Sequence, residues 1–563
     1  MASMRRTIGW WLACGLPALA WGADPAGLSG ERPVAPLGAP EYPREEAAPI
    51  LALPPLVPPE GAAAARPGGP RFVLKGVAFE GNTVFSASAL QGLAAPWLGK
   101  AVSMAELEDL RLALTKHYED QGFVGSGALL PDQHIQDGVV KYRILEGRLT
   151  EIAVTGTERL DPDYVRERLR IGLEGPLDAD VLRERFQLLL NDPLIERLNG
   201  ALRPGLHLGE TRLDLAVTRA KPYELALLAD NHRPPSTGAE SARLQGAVRN
   251  LTGQGDELTL DIGRSNGAWE GDAGFSLPLN ARDTRLSLGY SRTESSVTEE
   301  PLEAVDIDSH TESWSLDLSH PLIQSLDENL LLGLGFDLRR SHTSLLGEGT
   351  PFSPGVEPDG DARVRVLRLS QDYTWRGSRE AFAARSTFSV GLDILGATDN
   401  DGTPDGRFVT WVGQAQYAHK LGEAGAQLIL RGDLQLASNE LLPLEQFAVG
   451  GANSVRGYRE NRLVRDQGYR VSAEYRQPIR AEFLTRNNQK LEWLAFVEAG
   501  GAGYKGEWGE AEHLWSAGLG LRWRWERLSL DLDWAHGFSD VPEPTDHNLQ
   551  DDGIHFRVRL DLF

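Results

Sequence analysis

The end of the chain alternates without a fault. Ile554, Phe556, Val558, Leu560 and Leu562 are apolar, His555, Arg557, Arg559 and Asp561 between them are polar, and an aromatic residue, Phe563, closes the run. Successive side chains of a strand point to opposite faces, so such a strand is apolar on one side and charged on the other. The pattern recurs just upstream. Leu528, Leu530, Leu532 and Trp534 alternate with Ser529, Asp531 and Asp533; Trp515, Ala517, Leu519, Leu521, Trp523 and Trp525 alternate with Ser516, Gly518, Gly520, Arg522 and Arg524. A water-soluble sandwich would not set an arginine-studded inner face against an apolar outer face so regularly. Tryptophans at strand ends also suit a membrane interface. The pattern predicts a transmembrane β-barrel over 221–563, with Arg522, Arg524, Arg557 and Arg559 lining the lumen.

Sixteen alternating segments can be counted, starting near 223, 242, 256, 267, 283, 310, 328, 364, 383, 407, 424, 467, 489, 511, 526 and 553. An even number puts both barrel ends on one side of the membrane. The connections agree. Those after even strands are mostly short, as at Asn280 to Arg282 and Leu421 to Glu423. Those after odd strands are often long: 294–309, 340–363, 396–406, 439–466 and 537–552. Short periplasmic turns and long external loops are the expected asymmetry. Glu294 to Asp308 carries six acidic residues and no basic one, which reads as a solvated loop face.

The first 220 residues have a different texture. Arg5 and Arg6, the apolar Ile8 to Leu19, and the small residues Ala20 and Gly22 read as a secretory signal cleaved after Gly22. The one cysteine, Cys14, lies inside it, so the exported chain would hold no disulfide or thiolate metal site. Residues 23–70 are a Pro/Ala-rich linker whose prolines argue against a long helix. An internal repeat of 75 residues follows. Val77 and Phe79 match Ile152 and Val154, Gly81 matches Gly156, and Leu107 and Leu114 match Leu182 and Leu189. Each copy reads strand, helix, helix, strand, strand, giving α+β domains over 71–148 and 149–220. Ser86 and Asp161 are candidate N-caps, with Pro162 at a first helical position. Ser103 and Glu106 form a capping box ahead of a helix whose Leu107, Leu110, Leu114 and Tyr118 share one face. Val139 to Leu145 and Thr211 to Val217 read as closing strands.

Chemistry-like signals concentrate in 439–466, the longest loop. Gly450-Gly451 precedes Val455-Arg456-Gly457-Tyr458, and two strands later comes Phe496-Val497-Glu498-Ala499-Gly500. Trp493, Ala495, Val497 and Ala499 hold the lipid-facing parity, so Phe496, Glu498 and Gly500 face the lumen. A lumenal carboxylate can pair with an arginine carried inward by a folded loop and hold that loop in place. Other matches are bland. Gly263 to Gly267 fits the hydrolase pattern G-x-S-x-G, but a strand follows where that motif needs a helix. Asp399-Asn400-Asp401-Gly402 with Asp405 suggests calcium, but no glutamate closes it at the required spacing, so it reads as a polar turn. No catalytic constellation, nucleotide loop or metal spacing emerges, so neither an enzyme nor a cofactor is expected. A net charge of −23 argues against a nucleic-acid partner.

Taken together, these residues resemble a known family. The tandem repeats look like POTRA domains. Two of them before a 16-stranded barrel, with the VRGY of Val455 to Tyr458 in the sixth external loop, resemble the two-partner secretion outer-membrane transporters (TpsB) of the haemolysin secretion/activation type, ShlB/FhaC/HecB. The usual second motif, Phe-x-Asp-x-Gly, carries Glu498 at its acidic position here. The resemblance implies a Gram-negative outer membrane, periplasmic POTRA domains, and a pore translocating an unfolded, haemolysin- or adhesin-like exoprotein (TpsA-like). It also implies that Phe563 is the C-terminal signal read by the barrel-assembly machinery. Members often carry an N-terminal plug helix, which the prolines of 23–70 argue against. An outer-membrane barrel-assembly (insertase) protein shares the domains and VRGY but usually has more POTRA repeats. A passive porin has none.

Overall fold

The computed structural model describes Leu37, Leu51–Ala52 and residues 70–563 except 403, 483, 485–487 and 543–545. The signal-peptide reading, the plug and nearly all of the linker lie outside the described residues. Among those residues, no helix is long and apolar enough to cross a membrane. The chain folds as two compact units.

One unit is a closed antiparallel barrel. We number its strands in order: β1 (Tyr223–Asp230), β2 (Ser241–Arg249), β3 (Glu257–Arg264), β4 (Ala268–Pro278), β5 (Arg285–Ser296), β6 (Ile307–Gln324), β7 (Glu328–Leu345) and β8 (Asp361–Arg376) complete the first half. β9 (Glu380–Gly391), β10 (Val409–Leu421), β11 (Ala426–Ala437), β12 (Gln467–Pro478), β13 (Gln489–Gly503), β14 (Glu512–Trp525), β15 (Leu528–Gly537) and β16 (Ile554–Asp561) complete the second. Each pairs with its sequence neighbour, and β16 closes on β1 from Ala226↔Asp561 to Asp230↔Arg557. A two-residue piece, Glu348–Gly349, only extends the tip of β7. The outer face is inverted relative to a soluble protein: Leu260, Leu288, Leu316, Leu334, Leu369, Val497, Leu519 and Leu532 are all exposed. So large a contiguous apolar surface is stable only against lipid. Trp269, Trp411, Trp515 and Trp534 lie toward one rim and Trp375, Trp493 and Trp525 toward the other. The strands β5 to β8 run further than their apolar pattern suggests, so the loops expected at 294–309 and 340–363 are shorter. Past the lipid both faces are polar, and the backbone ladder continues without the alternation that marks it.

The other unit carries the repeats. In the first, strands 76–80, 139–145 and 127–129 form a sheet with 139–145 in the centre, packed by α1 (Ala87–Ala94) and α2 (Met104–Asp120). Leu107, Leu110, Leu114 and Tyr118 are buried against Val140, Tyr142 and Ile144. In the second, α3 (Pro162–Arg170) and α4 (Ala179–Leu190) bring Leu182, Phe186 and Leu189 onto Leu213, Leu215 and Val217. The two matched glycines do the same job. Gly81 (φ +90°) and Gly156 (φ +80°) turn the chain so close to the carbonyls of Ile144 and Val217 that a Cβ would collide with them. Ser86 and Asp161 cap their helices, and Ser103 with Glu106 forms the capping box. Leu51–Ala52 adds a short parallel strand to the outer edge of Ile195–Pro204.

Glu106 also takes Arg71 at 2.7 Å. The Arg71 guanidinium, with the Ser103 N–H and hydroxyl, holds its carboxyl down at about 2. A depressed carboxylate contributes stability that is complete above its unfolded value, 4.5, and is lost as pH falls through the folded one. The stability gap between the full chain and its Glu106→Gln variant should therefore be constant near neutrality and close steadily below about pH 4.5. Thermal unfolding in detergent across that range checks this. A pH-independent gap would assign the whole effect to the lost cap.

Candidate functional site

Loop 438–466, between β11 and β12, is folded rather than open. Phe447–Val449 and Leu463–Arg465 pair as a small hairpin. Gly450 (φ +112°) and Gly451 (φ +96°) turn the chain where no side chain would fit: a Cβ on Gly450 would come within 2.6 Å of the Arg459 carbonyl. The tip, Val455 to Tyr458, is buried.

Arg456 lies at the centre of a dry ion cluster, its side chain 4% exposed. Its Nε donates to Glu498 Oε1 (3.0 Å), its Nη2 to Glu498 Oε1 (2.5 Å) and Glu474 Oε2 (2.9 Å), and its Nη1 lies 3.3 Å from Asp533 Oδ2. Its backbone N–H donates to the other oxygen of Glu498 (2.7 Å), so one carboxylate grips both main chain and side chain. Arg476 pairs with Glu474 (2.5 Å) and Arg522 with Asp533 (2.8 Å). Arg456, Arg476 and Arg522 thus balance Glu474, Glu498 and Asp533, which is what lets charges persist out of water.

Phe496, Glu498 and Gly500 on the lumenal face of β13 each serve the loop. The Arg456 guanidinium stacks 3.4 Å over the Phe496 ring. Glu498 binds the arginine through both of its oxygens. Gly500 leaves room: a Cβ there would sit 2.6 Å from Val449 Cγ1 and 3.0 Å from Val455 Cγ2. The Gly457 N–H donates to His555 Nε2 (3.2 Å) on β16. Tyr458 OH donates to the Trp515 carbonyl (2.7 Å) and accepts from the Ser539 N–H (2.8 Å).

The remaining expected residues divide. Arg522 joins the cluster. Arg557 sits 3.4 Å from Asp230 and 2.8 Å from His232 Nδ1, and Arg559 pairs with Asp561 at 2.7 Å; Arg524 is exposed. Phe563 meets Tyr223 edge-on, 5.8 Å away at the β1–β16 seam. Glu474, Asp533 and His555 were not singled out from the sequence. Their inward parity is legible there, but their choice of partner is not. Glu299 departs from the solvated-face reading, since Arg459 binds it (2.5 Å) together with Asp551 (2.6 Å). In the calcium-like turn, Arg407 pairs with Asp399 and Asp405 at 3.0 Å each. Ser265 of the hydrolase-like pattern closes a hairpin, donating to the Thr237 carbonyl and accepting from the Ala268 N–H. A lumenal cavity of about 430 Å³ borders the cluster, with Leu37 on its wall.

The model of the haemolysin secretion/activation proteins ShlB/FhaC/HecB matches residues 209–523, and that of the ShlB-type POTRA domain matches 72–147. The outer-membrane transporter CdiB of Dickeya dadantii (strain 3937) is 24% identical over 408 residues, 70% of each chain. The heme/hemopexin transporter protein HuxB of Haemophilus influenzae (strain 86-028NP) is 25% identical over 400 residues, 68% of this chain and 67% of its own. The fold matches CdiB from Escherichia coli with a TM-score of 0.68 at 20% identity, covering 92% of this chain and 94% of that one. It matches BamA from Haemophilus ducreyi lacking POTRA domains 1–3 less closely, with a TM-score of 0.51 at 13% identity over 87% of this chain and 100% of that one. With more than half of its length matched by one family model, the chain belongs to the haemolysin secretion/activation family ShlB/FhaC/HecB, and it is an outer-membrane β-barrel transporter with periplasmic POTRA structure, not an enzyme.

Proposed function

We propose that the repeats over 71–148 and 149–220 capture an unfolded exoprotein, and that the loop bearing Val455 to Tyr458 controls its passage through the lumen. The observation carrying this reading is the Arg456 cluster. It ties the loop between β11 and β12 to the inner wall of β12, β13 and β15, in the path a client must take. Capture has support of its own. The edge Ile195–Pro204 accepts Leu51–Ala52 as an added strand, the backbone mode by which a sheet edge binds an extended peptide with little side-chain demand. The client belongs to the class this family secretes, haemolysin- or adhesin-like. Two further partners follow: outer-membrane lipid around the apolar wall, and the barrel-assembly machinery, which reads the exposed Phe563 during biogenesis.

Depleting the protein tests this. The expected result is loss of one large exoprotein from the medium with other outer-membrane proteins unchanged. A broad fall in outer-membrane proteins would make it an assembly factor instead.

A further inference from the structure

The Arg456 cluster holds only the far end of the loop. The near end, 441–446, is held elsewhere. Glu445 is 1% exposed and accepts from Arg339 Nη1 (3.1 Å) on β7 and Arg368 Nη2 (2.8 Å) on β8. Arg339 also donates to the Leu444 carbonyl (2.6 Å), and Arg368 to Asp337 (2.5 Å) and Ser389 (2.7 Å). Gln435 on β11 donates to the Glu445 carbonyl (2.9 Å). Beneath this triad the lumenal wall is apolar. Val364 and Val366 of β8 point inward and are fully buried, covered by Leu441, Leu442 and Leu444 of the loop.

The positions of the two attachments matter. In a ring of sixteen strands, β7 and β8 lie half the circuit from β15 and β16, whose Asp533 and His555 meet the tip. The loop is therefore fastened at its near end to β7 and β8 and at its tip to β12, β13, β15 and β16, two separate parts of the wall. Breaking the tip cluster alone frees one end of a strap whose other end remains bound in a dry socket.

We infer that Glu445 is a positioning residue, a second fastening for the gating loop, and that the lumen clears only when both the Arg456 and the Glu445 attachments release. This rests on the loop's role as the gate. Each attachment would then limit opening while the other holds, so the two act non-additively.

The test is pore conductance of the purified full chain in planar bilayers, with no client present, so its outcome is separate from that of exoprotein depletion. Arg456→Ala and Glu445→Gln are each expected to raise the open fraction about twofold, and the double variant about tenfold or more, beyond the product of the singles. Heat-modifiable mobility shows that each barrel is folded. The exported chain contains no cysteine after residue 14, so a Ser454→Cys reporter gives a second readout. A maleimide added from outside should label it slowly in the wild type and in Glu445→Gln, faster in Arg456→Ala and fastest in the double. The inference is overturned if the double variant conducts no more than Arg456→Ala, or if Glu445→Gln alone opens the pore as widely as the double. If Arg456→Ala and the double variant both leave conductance at the wild-type level, the gate reading falls with it, even where secretion is intact.

Discussion

Replacing Arg456 with alanine should abolish most exoprotein secretion while leaving the barrel assembled in the membrane. The charge balance explains the size of the effect. With Arg456 gone, Arg476 still faces Glu474 and Arg522 still faces Asp533, but Glu498 keeps only the backbone N–H of residue 456. Stranding a buried carboxylate costs about 3–5 kcal/mol. Carried by the tip of the loop, that cost shifts the tip's attachment to the wall by about a hundredfold or more, while the Glu445 fastening still holds the near end. The barrel does not bear it, because the ladder hydrogen bonds between neighbouring strands do not involve Arg456. Exoprotein in the medium and heat-modifiable mobility of the barrel are the two measurements. Normal secretion by the variant would remove the loop from the transport mechanism. Arg456→Lys should be intermediate, since a point charge cannot serve Glu498, Glu474 and Asp533 from one planar fork.

Gly500→Val should unseat the same loop by a different route. Every charge stays in place, but the new side chain enters space held by Val449 and Val455, whose methyls would lie 2.6 and 3.0 Å from its Cβ alone. Overpacking of this kind costs about 1–3 kcal/mol. The loop is the softer partner, since β13 is hydrogen-bonded on both sides to β12 and β14. Secretion should fall less than with Arg456→Ala, and pore conductance should rise. Gly500→Ala should show a weaker form of both. Wild-type conductance in the valine variant would mean that the loop can repack around the added volume.

Most of the architecture was legible because a barrel strand reads its surroundings one residue at a time. Lipid on one side and a polar lumen on the other impose a period of two on each strand independently. Leu528 to Trp534 and Ile554 to Leu560 could therefore be assigned without knowing their neighbours. The strand ends were less legible. At Ser341 to Leu345 on β7 both faces are beyond the lipid, and the pattern that reports a strand disappears while its hydrogen bonds do not. The repeats were readable because capping is local: Ser103 and Glu106 satisfy each other within one turn.

Val455 to Tyr458 began as a motif in a long loop, with an inward carboxylate two strands on. The residues alone placed Glu498 on the lumenal parity of its strand and Arg456 in a long loop that could carry it inward, because parity and loop placement depend only on nearby positions. They could not determine how many carboxylates Arg456 meets, that Gly457 rests on His555, or that Glu445 grips the other wall. Leu441 to Glu445 reads as a short apolar stretch ending in a single carboxylate, with nothing nearby to name its partner. Those contacts join residues 18 to 106 positions apart in the chain. They exist only once sixteen strands have closed into a ring, which brings β7, β8, β12, β13, β15 and β16 around one folded loop.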